Sequence, residues 1–177
     1  TGVQTCALPI LMQLLQDILA QRKPFTHLKR TLDLIDQGDL IEQVNTDTGR
    51  YYKTPTGSLY PSVTTVTGLL SRDGIKAWRQ KIGEDEANRI STKAATRGSR
   101  FHELCECYLS GADISSGGYS YSDALNLQTF KPILDNIDNI HLQEVRMYSD
   151  FLQMAGTVDC VGEYEGKLAI IDFKTAQ

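Results

Sequence analysis

Gly156-Thr-Val-Asp-Cys-Val-Gly-Glu-Tyr-Glu-Gly-Lys-Leu-Ala-Ile-Ile-Asp-Phe-Lys174 decides how the rest of this chain is read. Two runs rich in β-branched and apolar residues flank Glu165-Gly166, a pair suited to a two-residue hairpin turn. With that turn, Asp159 of the first strand falls opposite Asp172 of the second. Side chains alternate along a strand, so Lys174 shares the face of Asp172 while Ala169, Ile171 and Phe173 take the other. By the same alternation Asp159 points away from Val158 and Cys160. Like charges directly opposed across a sheet are destabilising. Two arrangements relieve the conflict. In one, the carboxylates sit on an ordinary solvated face with Lys174 as their salt-bridge partner. In the other, a divalent cation lies between them. The strand Leu168-Ala-Ile-Ile171 is apolar on both faces, which predicts a central, buried position where unpaired carboxylates are costly and favours the cation.

The chain has 177 residues, 41% hydrophobic and 23% charged, enough for a packed core. No apolar run approaches the length of a membrane span, so no membrane partner is expected. Residues 1–10 look like a non-native leader. The apolar stretch from Ala7 to Leu15 holds Pro9 and lacks both a basic leader and a small-residue cleavage site, so it does not read as a signal peptide. Cys6, Cys105, Cys107 and Cys160 show neither zinc nor disulfide spacing, which reads as reduced thiols in a cytoplasmic protein and supports no iron–sulfur cluster.

The net charge of −4 is unevenly spread. Residues 72–100 hold eight basic groups against four acidic, whereas residues 101–177 hold four against twelve. A basic helical layer beside an acidic layer suits an enzyme that steers phosphates with cations and holds a metal with carboxylates. Lys- and Arg-rich helix surfaces also arise without any such role.

Three regions follow from the pattern: the leader, an N-terminal helical segment (11–39) and a core (40–177). Helices are expected from Leu11 to Ala20 and from Phe25 to Ile35, parted by Pro24. Leu40 to Tyr52 reads as a hairpin bending at Asp47-Thr-Gly49, with a further turn over Thr54–Ser58. A helix should open at Pro61-Ser-Val-Thr-Thr65 and run toward Leu70, with Ser62, Thr64 or Thr65 capping its amides or holding a phosphate. Another is expected from Asp73 to Ile90, carrying Trp78 as a core residue or a base-stacking one. A third should run from Ser91 to Leu109, broken only by Gly98, with Phe101, Leu104, Cys105, Tyr108 and Leu109 as its buried stripe. His102 and Glu106 stand four apart beside that stripe. Gly111–Ser122 reads as a loop, Asp123–Ile137 as a helix kinked or broken into two pieces at Pro132, and His141–Tyr148 as a strand. Glu144 on that strand either supports the carboxylates or pairs with an Arg.

Gly156-Thr-Val-Asp159 followed by Asp172-Phe-Lys174, together with Tyr60-Pro-Ser-Val-Thr-Thr65 and Arg97-Gly-Ser-Arg-Phe-His-Glu-Leu-Cys-Glu106, resembles the PD-(D/E)XK nuclease superfamily. The likeness is to its RecB-like branch, which includes phage and mitochondrial genome maintenance exonucleases, and it covers about residues 50–177. The resemblance implies an α/β (α+β) restriction-endonuclease-like fold, a mixed central sheet flanked by helices, with an N-terminal helical layer. It implies a catalytic set of Asp159, Asp172 and Lys174. It also implies Mg²⁺ or Mn²⁺ held by Asp159, Asp172, the Phe173 carbonyl and His102. Glu103, Glu106 and Glu144 become candidates for supporting that shell, and Ser62, Thr64, Thr65, Arg97 and Arg100 for holding DNA. The implied reaction is exonucleolytic hydrolysis of single-stranded or free-ended DNA leaving a 5′-phosphate, in replication, recombination or repair in a bacterial or phage-infected cell. Alternatives are an endonuclease of the same fold and a catalytically silent nucleic-acid-binding module, the latter disfavoured by the intact Asp/Asp/Lys set. The family continues into a helix with a Gln-x-x-x-Tyr signature and a further strand, so the core is expected to be incomplete at Gln177, with a sheet edge exposed.

Overall fold

The computed structural model describes residues 4–28, 38–114 and 118–175, with side chains from residue 10 onward. It is an α+β protein with four long helices and two three-stranded antiparallel sheets among the described residues. The helices are α1 (Gln4–Ala20), α2 (Val63–Ile82), α3 (Glu84–Ser110) and α4 (Tyr121–Leu134). Strands β1 (Glu42–Thr46), β2 (Gly49–Lys53) and β3 (Leu59–Pro61) form one sheet, and β4 (Ile137–Ser149), β5 (Met154–Tyr164) and β6 (Lys167–Ile171) the other, each in chain order.

The chain divides into two compact units. The first comprises residues 1–28, 94–141 and 161–177, the second residues 29–93 and 142–160, so the boundary falls within α3, β4 and β5.

In the first unit, Leu15, Ile18 and Leu19 of α1 are buried, as are Phe101, Leu104, Cys105, Tyr108 and Leu109 of α3 and Ala124, Leu127 and Leu134 of α4. The stripe on α3 is the one its three- and four-residue spacing predicts. Each large side chain so buried contributes roughly 1.5–3 kcal/mol. Phe101 meets Phe130 edge-on at 4.8 Å, and Phe25 meets Tyr108 at 5.6 Å. α4 starts with a capping box in which Ser120 and Asp123 satisfy each other's backbone amides. It ends at Leu134 instead of Ile137, and Pro132 stands in its last turn, where it terminates the helix without breaking it in two.

The expected helix over Phe25–Ile35 is absent where it can be checked. Phe25 to Leu28 is non-helical, with His27 bridging Ile140 in parallel fashion, while residues 29–37 lie outside those described. Backbone amides at 26 and 28 have tertiary partners instead: the Thr26 N–H donates to the Asp138 carboxylate and that of Leu28 to the Ile140 carbonyl. α1 in turn begins at Gln4, inside the stretch set aside as a leader.

The second unit holds the β1–β2–β3 meander, packed through Ile41, Tyr52 and Ala155 with Tyr60 and Tyr148 against them. The hairpin between β1 and β2 turns where the sequence says, with Glu42 opposite Lys53 and Thr46 opposite Gly49. Gly49 is required there: a Cβ would come within 2.7 Å of the Thr65 side chain, and its φ of 139° lies where other residues are strained. Ser62 caps α2, its Oγ accepting from the Thr65 N–H at 2.9 Å, while Pro61 closes β3 rather than joining the first helical turn.

Helix boundaries move from expectation between residues 63 and 110. α2 runs through Gly74 to Ile82, and the break falls at Gly83 (φ 88°), after which α3 runs unbroken through Gly98. Three acidic residues, Glu84, Asp85 and Glu86, open α3 where the helix dipole favours them. Arg79 bridges the break by hydrogen bonds to Glu84 and Asn88. Glycines at 74 and 98 cost helix propensity but meet nothing that forces a turn, whereas Gly83 adopts a backbone that ends a helix.

Candidate metal centre

Strands β5 and β6 form the expected hairpin. Glu165 and Gly166 have φ of 51° and 75°, the pair of left-handed residues that matches strand twist in a two-residue turn. Alternation along β6 and its continuation is as predicted: Leu168, Ile170, Asp172 and Lys174 are exposed, while Phe173 is 7% exposed. Among the described residues a central, buried position for β6 is not seen. β6 is the edge strand of its sheet among the described residues, and Leu168 and Ile170 are 70% and 78% exposed. Lys174 Nζ donates to Asp172 Oδ1 at 2.8 Å in an open ion pair. Such a solvated pair contributes little to stability.

Within the same unit, Phe173 lies edge-on to the His102 ring with centroids 6.2 Å apart. His102 is half-buried on α3, on the flank of its apolar stripe. Glu103 is half-buried and Glu106 exposed. Arg100 pairs with Asp123 at 3.5 Å, and Arg97 Nε is buried with no hydrogen-bond partner among the described residues.

In the second unit the structure joins Asp159 of β5 to Glu144 of β4, their carboxylate oxygens within 4.8 Å. At that separation two anions repel by about 1 kcal/mol in bulk water and about 3 kcal/mol at an effective dielectric constant of 20. Cys160, next along β5, is fully buried on the opposite face of the strand, its thiol pushed up to about 11 by burial and then by the adjacent Asp159 charge. Glu144 has a φ of 49°, a left-handed conformation unusual for a non-glycine residue inside a strand. Left-handed residues of this kind mark bulges that re-aim side chains. Sequence reading left open whether Glu144 supports the site or pairs with an Arg, because period-two alternation carries no sign of a bulge.

The hydroxyls expected near a phosphate are engaged locally. Ser62 is 2% exposed and shares hydrogen bonds with Thr64 and Thr65, while Thr65 Oγ1 both accepts from the Arg50 N–H and donates to the Arg50 carbonyl. Thr64 is exposed. No helix among the described residues is long and apolar enough to cross a membrane. Cys105, Cys107 and Cys160 are buried and take part in no disulfide among the described residues.

No protein-family model matches the chain. It is similar to mitochondrial genome maintenance exonuclease 1 of Mus musculus, 28% identical over 107 residues, and of Homo sapiens, 28% over 108. The same protein of Xenopus tropicalis is 27% identical over 107. Each match covers 58% of this chain, which spans about a third of the length of these curated relatives. The likeness is to proteins named as exonucleases. The paired carboxylates of Glu144 and Asp159 are donors of the kind that fit a divalent cation.

Proposed function

We propose that this protein is a divalent-cation-dependent DNA exonuclease of the PD-(D/E)XK type. The observation that carries the reading is the approach of the Asp159 and Glu144 carboxylates within 4.8 Å, in a chain whose curated relatives are named as exonucleases. Asp159 and Glu144 would hold the cation, and the sequence resemblance adds His102, Asp172 and the Phe173 carbonyl as further ligands. Carboxylate and carbonyl oxygens suit Mg²⁺, and an imidazole is equally at home on Mn²⁺.

A bound cation of this kind supplies Lewis-acid polarisation of a phosphoryl oxygen and a water of lowered pKa. The chain's own groups do the rest. Asp159 and Glu144, acceptors only when ionised, present the negative charge that selects a cation over a phosphate. Lys174 carries three N–H donors, one of which is given to Asp172 in an exposed pair. Exchange of that partner is inexpensive, so the ammonium group is free to donate to the oxyanion that develops at phosphorus or to orient the attacking water. Asp172 holds Lys174 until then. Basic side chains of residues 72–100, Arg97 and Arg100 among them, would draw the phosphate backbone in.

The test is hydrolysis of end-labelled single-stranded DNA, linear and circular, with Mg²⁺, Mn²⁺ or EDTA. Linear DNA should be degraded with either metal and spared with EDTA, and circular DNA should survive. Asp159→Asn and Lys174→Ala should each slow turnover roughly 100-fold or more, with circular dichroism unchanged. Cleavage of circles would convert the assignment to an endonuclease. Turnover indifferent to EDTA and to both substitutions would refute it.

A further inference from the structure

The β4–β5 turn, Asp150-Phe-Leu-Gln153, displays an apolar tip. Phe151 is 94% exposed and Leu152 58%. This tip is held firmly. Tyr60 Oη donates to Asp150 Oδ1 at 2.7 Å, the Leu152 N–H donates to Ser149 Oγ at 3.1 Å, and Tyr60 rests on Tyr148 with ring centroids 6.4 Å apart. Gln153 closes the turn with a φ of 50°. A braced turn that presents a large ring to solvent shows the ring at low entropic cost to whatever it meets.

We infer that Phe151, with Leu152 beside it, is a stacking contact for an unpaired base of the nucleic-acid strand. The inference rests on the nuclease reading above. Size separates a base from a protein partner. A stable protein interface buries about 800 Å² on each side, whereas one Phe supplies roughly 150–250 Å². Base stacking needs only one ring face, and Phe and Leu are the side chains that wedge against or between bases. Placement agrees. Phe151 stands on the two strands that carry Glu144 and Asp159, seven residues beyond the first and eight before the second. At about 3.3 Å per strand residue the ring is roughly 20 Å from the acidic pair. That span equals about six stacked nucleotides at ~3.4 Å each. The stacked base would lie within about six nucleotides of the bond being cut, so the contact would set how long a single-stranded segment is gripped.

The experiment uses single-stranded oligonucleotides with 2-aminopurine at successive positions, titrated with the Asp159→Asn protein in Mg²⁺ so that turnover does not intervene. One position, or two adjacent ones, should show a fluorescence change that the others lack. Phe151→Ala on that background should erase the positional signal and weaken binding about tenfold, while Phe151→Tyr, which keeps the ring, should preserve both. A uniform response along the strand, or unchanged binding by Phe151→Ala, overturns the inference. So does a shift from dimer to monomer in sedimentation on Phe151→Ala with DNA affinity unaltered, which would assign the tip to a second copy of the chain. Parallel assay of the unsubstituted protein separates the two levels: DNA cleavage without a Phe151 effect removes the stacking contact alone. Absence of both cleavage and DNA binding removes the nuclease reading with it.

Discussion

Helices α2 and the C-terminal half of α3 look alike as sequence and are supported in different ways. Both place apolar residues at helical spacing: Val63, Val66 and Leu70, then Ile75, Trp78 and Ile82, in α2, and Phe101, Leu104, Cys105 and Tyr108 in α3. Yet none of the twenty residues of α2 is buried, and every one of those four in α3 is at most 1% exposed. α2 is sustained by length, ends and the hydrogen bonds of Thr65 to the Arg50 backbone, with Ser62 capping its start and the Gly83 N–H bonded to the Arg79 carbonyl at its close. Isolated helices become viable only beyond about 12–15 residues, and α2 exceeds that. α3 is sustained by tertiary burial, including the strap of residues 22–28. Along that strap Arg22 donates to the Gly111 carbonyl at 2.6 Å, His27 Nε2 lies 3.0 Å from the Leu109 carbonyl, and Phe25 covers Tyr108. Helical periodicity therefore reports which side chains share a face, and says nothing about whether that face is covered.

The sharpest way to break this contrast is Phe101→Ala. It should destabilise the protein by about 3–5 kcal/mol in urea unfolding, since it removes a buried ring from the Phe130 contact. A cost under about 1 kcal/mol would mean that α3 is no better packed than α2.

A smaller effect should come from the strap. Asp138 accepts from the Thr26 and Asn139 N–H groups and from Lys23, and those backbone bonds hold its carboxyl down at about 2. A carboxylate depressed in the folded state stabilises at pH above its unfolded value, about 3.9, and that contribution disappears as pH falls through the folded value. Asp138 is 42% exposed, so solvent screening holds the effect to about 1 kcal/mol. Asp138→Asn should lower stability by about that much at pH 7. The difference between variant and parent should fade between about pH 4 and 2. A difference independent of pH would assign the effect to shape and not to charge.

The smallest change is expected from Leu70→Ser in α2. Leu70 is 91% exposed, so unfolding should shift by no more than about 0.5 kcal/mol. A loss comparable to that of Phe101→Ala would show that α2 has a covered face after all.

The sheets repeat the lesson of the helices. Both hairpin turns were legible because Asp47-Thr-Gly49 and Glu165-Gly166 satisfy steric demands confined to a few residues. The face shared by Asp172 and Lys174 was legible for the same reason. Whether β6 is central or at an edge is not legible from its residues: an apolar run from Leu168 to Ile171 looks the same in either position. Helix breaks were misplaced because every Gly in a helical pattern invites one, and only Gly83 takes a backbone that forces it.

For the candidate site, sequence alone determined the kinds of groups available and the faces they occupy along each element: Asp159 opposite Cys160, Asp172 with Lys174, His102 beside the α3 stripe. These follow from backbone periods of two and 3.6 residues, which act over a few positions. The approach of Glu144 to Asp159, the left-handed turn of backbone at Glu144 and the exposure of Leu69, Leu70 and Ile75 on α2 were decided only by tertiary structure. Each depends on which distant segments pair or pack, and no local repeat records that choice.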